Sequence, residues 1–147
     1  MKRIKKIISI VLSFVLVKTC LPAHVLAADT PSTYGKIITS TTSYIAQADE
    51  SIKVSGEGVI AEINLSGVTI NKSGEISVSA IRVENGATVK LTVLGTNTLR
   101  GAEGCADISV DETSTLIIED ASTGTLNAYG GLMAAGIDGD SEEKGGD

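Results

Sequence analysis

Apolar and polar residues alternate along several short stretches of this chain. The alternation is clearest in Val59–Leu65, Val89–Val93 and Leu126–Ala128, where Ile, Val and Thr are frequent. A period of two with β-branched residues is typical of strands that bury one face. Gly, Asn and Ser separate these stretches, and no segment of ten or more residues has apolar positions at helical spacing. The pattern predicts an all-β fold of many short strands.

The second half of the chain repeats itself after 27 residues. The repeat matches Ile81–Glu84, Thr88–Leu91 and Thr98–Leu99 with Ile108–Asp111, Thr115–Ile118 and Thr125–Leu126. Self-similarity at a fixed spacing of this size is the signature of a solenoid, in which each coil buries its apolar side against its neighbours.

Matched residues should lie above one another in such a coil. We expect core ladders of Ile81 on Ile108, Val83 on Val110, Val89 on Leu116, Leu91 on Ile118 and Leu99 on Leu126. Ile63–Ile70 aligns on Val89–Leu91 with an offset of 26, and Ala135–Ile137 begins a further coil. The prediction is a parallel β-helix of about three coils with an incomplete last coil. A β-sandwich is the alternative, with Asn85–Gly86 as a hairpin turn.

The N-terminus has the features of a secretory signal peptide. A basic segment, Met1–Lys6, precedes an apolar run, Ile7–Val17, and small residues surround Ala27. Lys18 closes the apolar run after 11 residues, whereas a membrane-spanning helix needs about 20. We therefore predict cleavage after Ala27 and a secreted protein that is extracellular or associated with the cell wall.

The chain divides into four predicted segments, and cleavage of the first would leave a strongly acidic protein. We predict a signal peptide at 1–27, an N-terminal cap or linker with short strands at 28–57, solenoid repeats at 58–140, and an acidic tail or truncation point at 141–147. The mature chain would carry 7 basic and 18 acidic side chains, a net charge of −11. Nucleic acid and membranes are not expected partners of such a chain.

The repeat resembles a known group of proteins. The segments Ile81–Leu99 and Ala134–Gly139 resemble the glycine-rich β-solenoid repeats of secreted clostridial surface proteins. They are also similar to the clostridial carbohydrate-binding β-helix family, which has a pectate-lyase-like fold. This resemblance implies a right-handed β-helix, a surface location and binding to polysaccharide or the cell wall, in some members with Ca²⁺.

The residues favour a protein that is not an enzyme. Catalysis by Ser or Cys usually requires a His base, and His24 lies in the predicted signal peptide. Cys105 stands between small residues and is expected to be a buried or turn thiol. A lyase-like enzyme is the second alternative function, and its basic residue would come from Arg82, Lys90 or Arg100.

A polysaccharide-binding module is the favoured interpretation, with a cell-wall or plant-type acidic glycan as the ligand. The mature chain offers Tyr34, Tyr44 and Tyr129 but no Trp or Phe for stacking on sugar rings. Binding would therefore use polar side chains and Ca²⁺ bridging to acidic sugars. The candidate calcium ligands are Asp138, Asp140 and Glu142.

Three further expectations come from the chain's later part. A second set of candidate ion ligands is Asp107, Asp111 and Glu112. Positions where matched coils differ are where we expect function: Arg82 against Ser109, Lys90 against Ile117, and Thr92 against Glu119. An uncapped last coil would favour self-association.

The first alternative function is a structural spacer or adhesin segment of a larger surface protein, without a ligand of its own.

Overall fold

The computed structural model describes residues 34–138, in which twelve strands and no helix are present. The predicted signal peptide at 1–27 and the tail at 141–147 lie outside these residues. The strands are β1 (Lys36–Ile38), β2 (Thr42–Ile45), β3 (Ile52–Ser55), β4 (Ile60–Ser66), β5 (Thr69–Asn71), β6 (Ile81–Glu84), β7 (Thr88–Leu94), β8 (Thr96–Arg100), β9 (Ile108–Val110), β10 (Thr115–Ile118), β11 (Thr125–Ala128) and β12 (Ile137–Asp138).

The strands form three sheets, and all of their pairings are parallel. Sheet A has the order β1-β3-β6-β9-β12, sheet B the order β10-β7-β4-β2, and sheet C the order β11-β8-β5. The coils that begin at β3, β6 and β9 visit sheets A, B and C in turn before the chain returns to sheet A one strand further along, whereas the first coil, from β1, has strands in sheets A and B only. The chain is a β-solenoid of about three turns, as the repeat predicts.

The β-sandwich alternative is wrong, because a sandwich of this kind needs antiparallel pairs. Strands β6 and β7, on either side of Asn85–Gly86, belong to different sheets and do not pair with each other. The two residues instead turn the chain from sheet A to sheet B, with φ of 59° at Asn85 and 75° at Gly86. Asn and Gly suit this corner because they accept the left-handed backbone conformation at low cost.

The core consists of apolar ladders that run along the solenoid axis. In sheet A, Ile52, Ile81 and Ile108 are consecutive register partners and all are fully buried. In sheet B, Ile63 pairs with Leu91, and both are also fully buried. Like side chains can pack on one another at each rung because neighbouring coils are separated by one strand spacing, about 4.8 Å.

The structure confirms the register of four of the five predicted ladders, although Ile118 is half exposed on the last coil, and it corrects the fifth. Leu126 pairs with Asn97 rather than Leu99, and Leu99 pairs with Ala128, an offset of 29. Two extra residues enter the last coil between β10 and β11. There the Ser122 hydroxyl accepts a hydrogen bond from the Val93 amide at 3.0 Å, in place of a backbone carbonyl.

The predicted alignment of β4 on β7 is also wrong by two residues. Ile63 pairs with Leu91, an offset of 28 instead of 26. Because side chains alternate between the two faces of a strand, a slip of two residues leaves each one on the face that was predicted. The alternation therefore gave the correct inward face, while the partner in the next coil was misassigned.

The coils begin earlier than the predicted boundary at residue 58. β1 pairs with β3 and β3 pairs with β6 in sheet A, while β2 pairs with β4 in sheet B. The short strands expected in 28–57 are therefore present from Lys36 onward, and they belong to the same sheets as the repeats. Residues 28–33 lie outside the described part of the chain.

Two buried polar side chains tie successive coils together at the corners. Asn97 accepts a hydrogen bond from the Val68 amide at 2.8 Å and donates one to the Leu94 carbonyl at 2.9 Å. The Asp107 carboxylate accepts hydrogen bonds from the Gly101 amide at 2.6 Å and the Gly130 amide at 2.8 Å. These bonds satisfy backbone groups that the corners leave without a strand partner.

Candidate functional site

A shallow groove crosses the outer face of sheet B. It has a volume of about 280 Å³. The residues that line this sheet B groove come from β4, β7 and the segment after β10: Glu62, Asn64, Lys90, Thr92, Glu119 and Ala121. They point outward because their neighbours along each strand are the apolar residues that fill the core.

The parallel register places the polar side chains of the groove on a regular grid. Glu62 is the partner of Lys90, and Asn64 is the partner of Thr92. The backbone amide of Glu119 bonds to β7 at 2.9 Å, in the position that sets its side chain beside Thr92. Adjacent strands are about 4.8 Å apart, so residues from three coils line the groove, although the exposed Ile117 lies beside Lys90 on the third coil.

Most of these side chains retain their hydrogen-bonding capacity. Within residues 34–138, Asn64, Lys90, Thr92 and Glu119 make no side-chain hydrogen bond and no salt bridge. Glu62 accepts one hydrogen bond, from the Ser43 hydroxyl at 2.9 Å. The groove therefore presents an ammonium group, an amide, a hydroxyl and two carboxylates to a ligand.

A larger concavity, of about 680 Å³, lies at the corner between sheets A and B. Its lining residues are Glu57, Asn85, Gly86 and Thr113. Here the polar groups are largely bonded to one another. The backbone amide of Asn85 donates to the Asp111 carboxylate at 2.7 Å, and the backbone amide of Gly86 donates to the Thr113 hydroxyl at 3.0 Å. Burial raises the pKa of Asp111, but the hydrogen bonds from Asn85 and Thr113 outweigh it and hold that pKa below its usual range. This corner therefore offers a ligand fewer unpaired hydrogen-bonding groups than the sheet B groove does.

The three basic residues weighed for lyase chemistry lie on different sheets. Arg82 is on sheet A, Lys90 on sheet B and Arg100 at the end of β8 on sheet C. Arg82 pairs with Glu84 at 2.9 Å, and Lys53 pairs with the same carboxylate at 2.6 Å. Burial raises the pKa of Glu84, but these two basic neighbours outweigh it and lower that pKa below its usual range. The structure does not bring Arg82, Lys90 and Arg100 together.

The candidate calcium ligands are only partly within the described residues. Asp138 ends β12, is exposed, and is the register partner of Ser109. Asp140 and Glu142 lie outside the described residues. Residues 34–138 contain no group of three or more His, Cys, Asp or Glu side chains arranged to hold a metal ion.

The second predicted set of ion ligands is divided between two corners. Asp107 and Asp111 lie at opposite ends of β9, so they face different corners of the coil. The Asp107 carboxylate is fully buried and bonded to two backbone amides. Glu112 is exposed next to Asp111. The structure therefore separates Asp107 from the other two residues.

The side chains weighed as a nucleophile or as sugar-stacking platforms have distinct environments. Cys105 is buried, with 5% of its surface exposed, as the sequence predicts. Tyr44 lies under Lys36, whose Nζ is 4.9 Å from the ring centroid, and its hydroxyl donates to Glu50. Tyr129 is 72% exposed on the corner after β11, outside the sheet B groove.

The predicted functional positions are partly brought together. Lys90, Thr92 and Glu119, identified because matched coils differ there, all line the sheet B groove, whereas Arg82 lies on sheet A. Glu62 and Asn64 also line the groove but were not predicted, because the comparison of matched coils covered only the repeat from Ile81 onward. The alternation in β4 places Glu62 and Asn64 on the outward face, and this pattern could have identified them.

The described residues contain no helix that could span a membrane. No protein-family model, curated protein or solved structure matches this chain.

Proposed function

We propose that this chain is a secreted, non-catalytic module that binds polysaccharide at the cell surface through the sheet B groove. The observation that carries the proposal is the set of polar side chains on this face that lack partners among the described residues, above all Asn64, Lys90 and Thr92. Sugar hydroxyls both donate and accept hydrogen bonds, so a glycan can satisfy an amide, an ammonium group and a hydroxyl at once.

The shape of this face also suits an extended polymer. Three parallel strands place polar side chains at intervals of about 4.8 Å across the groove. The coil-to-coil bonding makes the surface rigid, so little ordering is required when a ligand binds. The resemblance of Ile81–Leu99 to the repeats of secreted carbohydrate-binding proteins, and the signal-peptide features of Met1–Ala27, support export and a glycan ligand.

Retention on immobilised polysaccharides tests the proposal directly. The mature chain is applied to peptidoglycan, cellulose, pectin and chitin-derived matrices, and the eluted fraction is measured. Thr92→Ala should weaken retention, whereas Thr98→Ala, a matched change on the outer face of sheet C, should leave it unchanged. Failure of the chain to be retained on any matrix would favour the structural spacer.

The same assay addresses calcium and location. Retention that is lost with a chelator, and equally lost in Asp138→Asn, would support an ion in the last coil. Retention that is unchanged by both would remove Ca²⁺ from the proposal. Detection of the protein in the medium or wall fraction, with an N-terminus at Ala28, would support export.

A further inference from the structure

The charges in the sheet B groove follow an order that bears on the ligand. Glu62 comes from β4, Lys90 from the middle strand β7, and Glu119 from the segment after β10. The two carboxylates therefore lie on either side of β7, Glu62 beside Lys90 and Glu119 beside Thr92, with their backbones roughly 12 Å apart across two strand spacings and two residues along the strands. Lys90 makes no salt bridge with either of them or with any other described residue.

This order discriminates between classes of glycan. The carboxylates of a polyuronate would face the two carboxylates and the single ammonium group of the groove. The predicted mature chain has a net charge of −11, so such a ligand would be repelled. A neutral glycan would leave the charge of Glu119 without a counterion. A glycan with protonated amino groups would pair with both carboxylates, while its hydroxyls bond to Lys90, Asn64 and Thr92.

We propose that the sheet B groove selects an amino-sugar glycan, a glucosamine polymer with free amino groups, whose ammonium groups pair with Glu62 and Glu119. This inference rests on the proposed polysaccharide-binding function and specifies its ligand class. It replaces the acidic glycan expected from the resemblance with a ligand of the opposite charge.

Binding of three short probes tests the selectivity. Glucosamine trimer, N-acetylglucosamine trimer and galacturonic acid trimer are titrated into the mature chain at low salt, and binding is measured by calorimetry. We expect the free-amine trimer to bind about tenfold more tightly than the acetylated trimer, since two exposed ion pairs each contribute up to about 1 kcal/mol. The preference should shrink at high salt because such pairs are screened.

Charge-matched variants separate a local site from the general attraction of an acidic protein. Glu119→Gln and Glu62→Gln should each reduce the affinity for the free-amine trimer severalfold, and by a larger factor than the affinity for the acetylated trimer. Glu103→Gln removes the same charge from an exposed position outside the groove and should change neither affinity. Circular dichroism confirms that each variant is folded.

The outcomes distinguish failure of the amino-sugar inference from failure of the proposed polysaccharide-binding function. Equal binding of the free-amine and acetylated trimers, or tighter binding of the galacturonic acid trimer, overturns the amino-sugar inference while polysaccharide binding stands. An effect of Glu103→Gln as large as that of Glu119→Gln also overturns it, because the attraction is then not local. Absence of binding by all three trimers, together with no retention on any matrix, rejects the proposed function itself.

Discussion

Removal of the Asp107 carboxylate should destabilise the solenoid more than removal of any exposed carboxylate. Asp107 has no exposed surface, and its two oxygens accept hydrogen bonds from the amides of Gly101 and Gly130, which belong to successive coils. Asp107→Ala leaves both amides without an acceptor. The change therefore affects the junction between sheets C and A in two coils at once.

The size of the loss follows from the burial of the two donors. A buried donor without a partner costs about 1–3 kcal/mol. The Gly101 amide is buried and should lose the full amount, while the Gly130 amide is only partly buried and should lose less. We expect the free energy of unfolding to fall by about 2–4 kcal/mol in Asp107→Ala.

Urea unfolding followed by far-ultraviolet circular dichroism measures the loss, since the strand content of the coils gives the signal. Asp120→Ala is the matched control, because Asp120 is exposed and should change stability by less than about 0.5 kcal/mol. Asp107→Asn retains one acceptor oxygen and should fall between the two. Amide hydrogen exchange at Gly101 should accelerate in Asp107→Ala.

Two results would refute the reasoning. If Asp107→Ala unfolds at the same urea concentration as Asp120→Ala, the buried carboxylate does not stabilise the corner. If stability falls but exchange at Gly101 is unchanged, the loss arises from a different part of the molecule.

Other predictions concern the outer ion pairs, a tyrosine and the core. Glu84→Gln should lower the free energy of unfolding by about 1–2 kcal/mol at pH 7, because two basic side chains depress the pKa of Glu84. A depressed pKa stabilises the folded state above the pKa of the unfolded chain, so the difference from wild type in urea unfolding should disappear as the pH falls below about 4, and a constant difference would contradict this origin. The hydrogen bond to Glu50 raises the pKa of Tyr44 to about 12, so tyrosinate absorbance should show a step near that pH which Tyr44→Phe removes. Because the pKa of Tyr44 is raised on folding, the contribution of this hydrogen bond to stability should be complete below about pH 10 and be lost as the pH rises through about 12. Leu91→Ala should cost about 2–5 kcal/mol in urea unfolding, since Leu91 is fully buried between two coils, and a loss under about 1 kcal/mol would contradict close packing of the ladder.

The candidate site was predictable in part, and the limit has a physical cause. Lys90, Thr92 and Glu119 stand out in the sequence because they break the likeness between matched coils. Glu62 and Asn64 do not, because β4 lies outside the 27-residue repeat, and its alignment on β7 has no feature that penalises a slip of two residues. Only the hydrogen-bonded register sets Glu62 beside Lys90.

Local spacing along the chain is enough to predict the all-β class, the stacking of coils and the inward face of the strands in the repeat. Alternation with a period of two decides which side chains are buried, and the repeat from Ile81 onward requires like residues to meet in neighbouring coils. These features depend on local spacing, which the chain carries without reference to distant residues.

Only the folded structure shows the registers of β4 on β7 and of β8 on β11, the two extra residues of the last coil and the roles of isolated polar residues. The two extra residues near Ser122 make Leu126 the partner of Asn97 instead of Leu99. Asp107, a candidate ion ligand in the sequence, accepts hydrogen bonds from two backbone amides in the structure. Such outcomes depend on which backbone groups lack a partner at each corner. The coils above and below a corner determine which of its backbone amides and carbonyls lack a partner, so these groups can be identified only in the stacked structure.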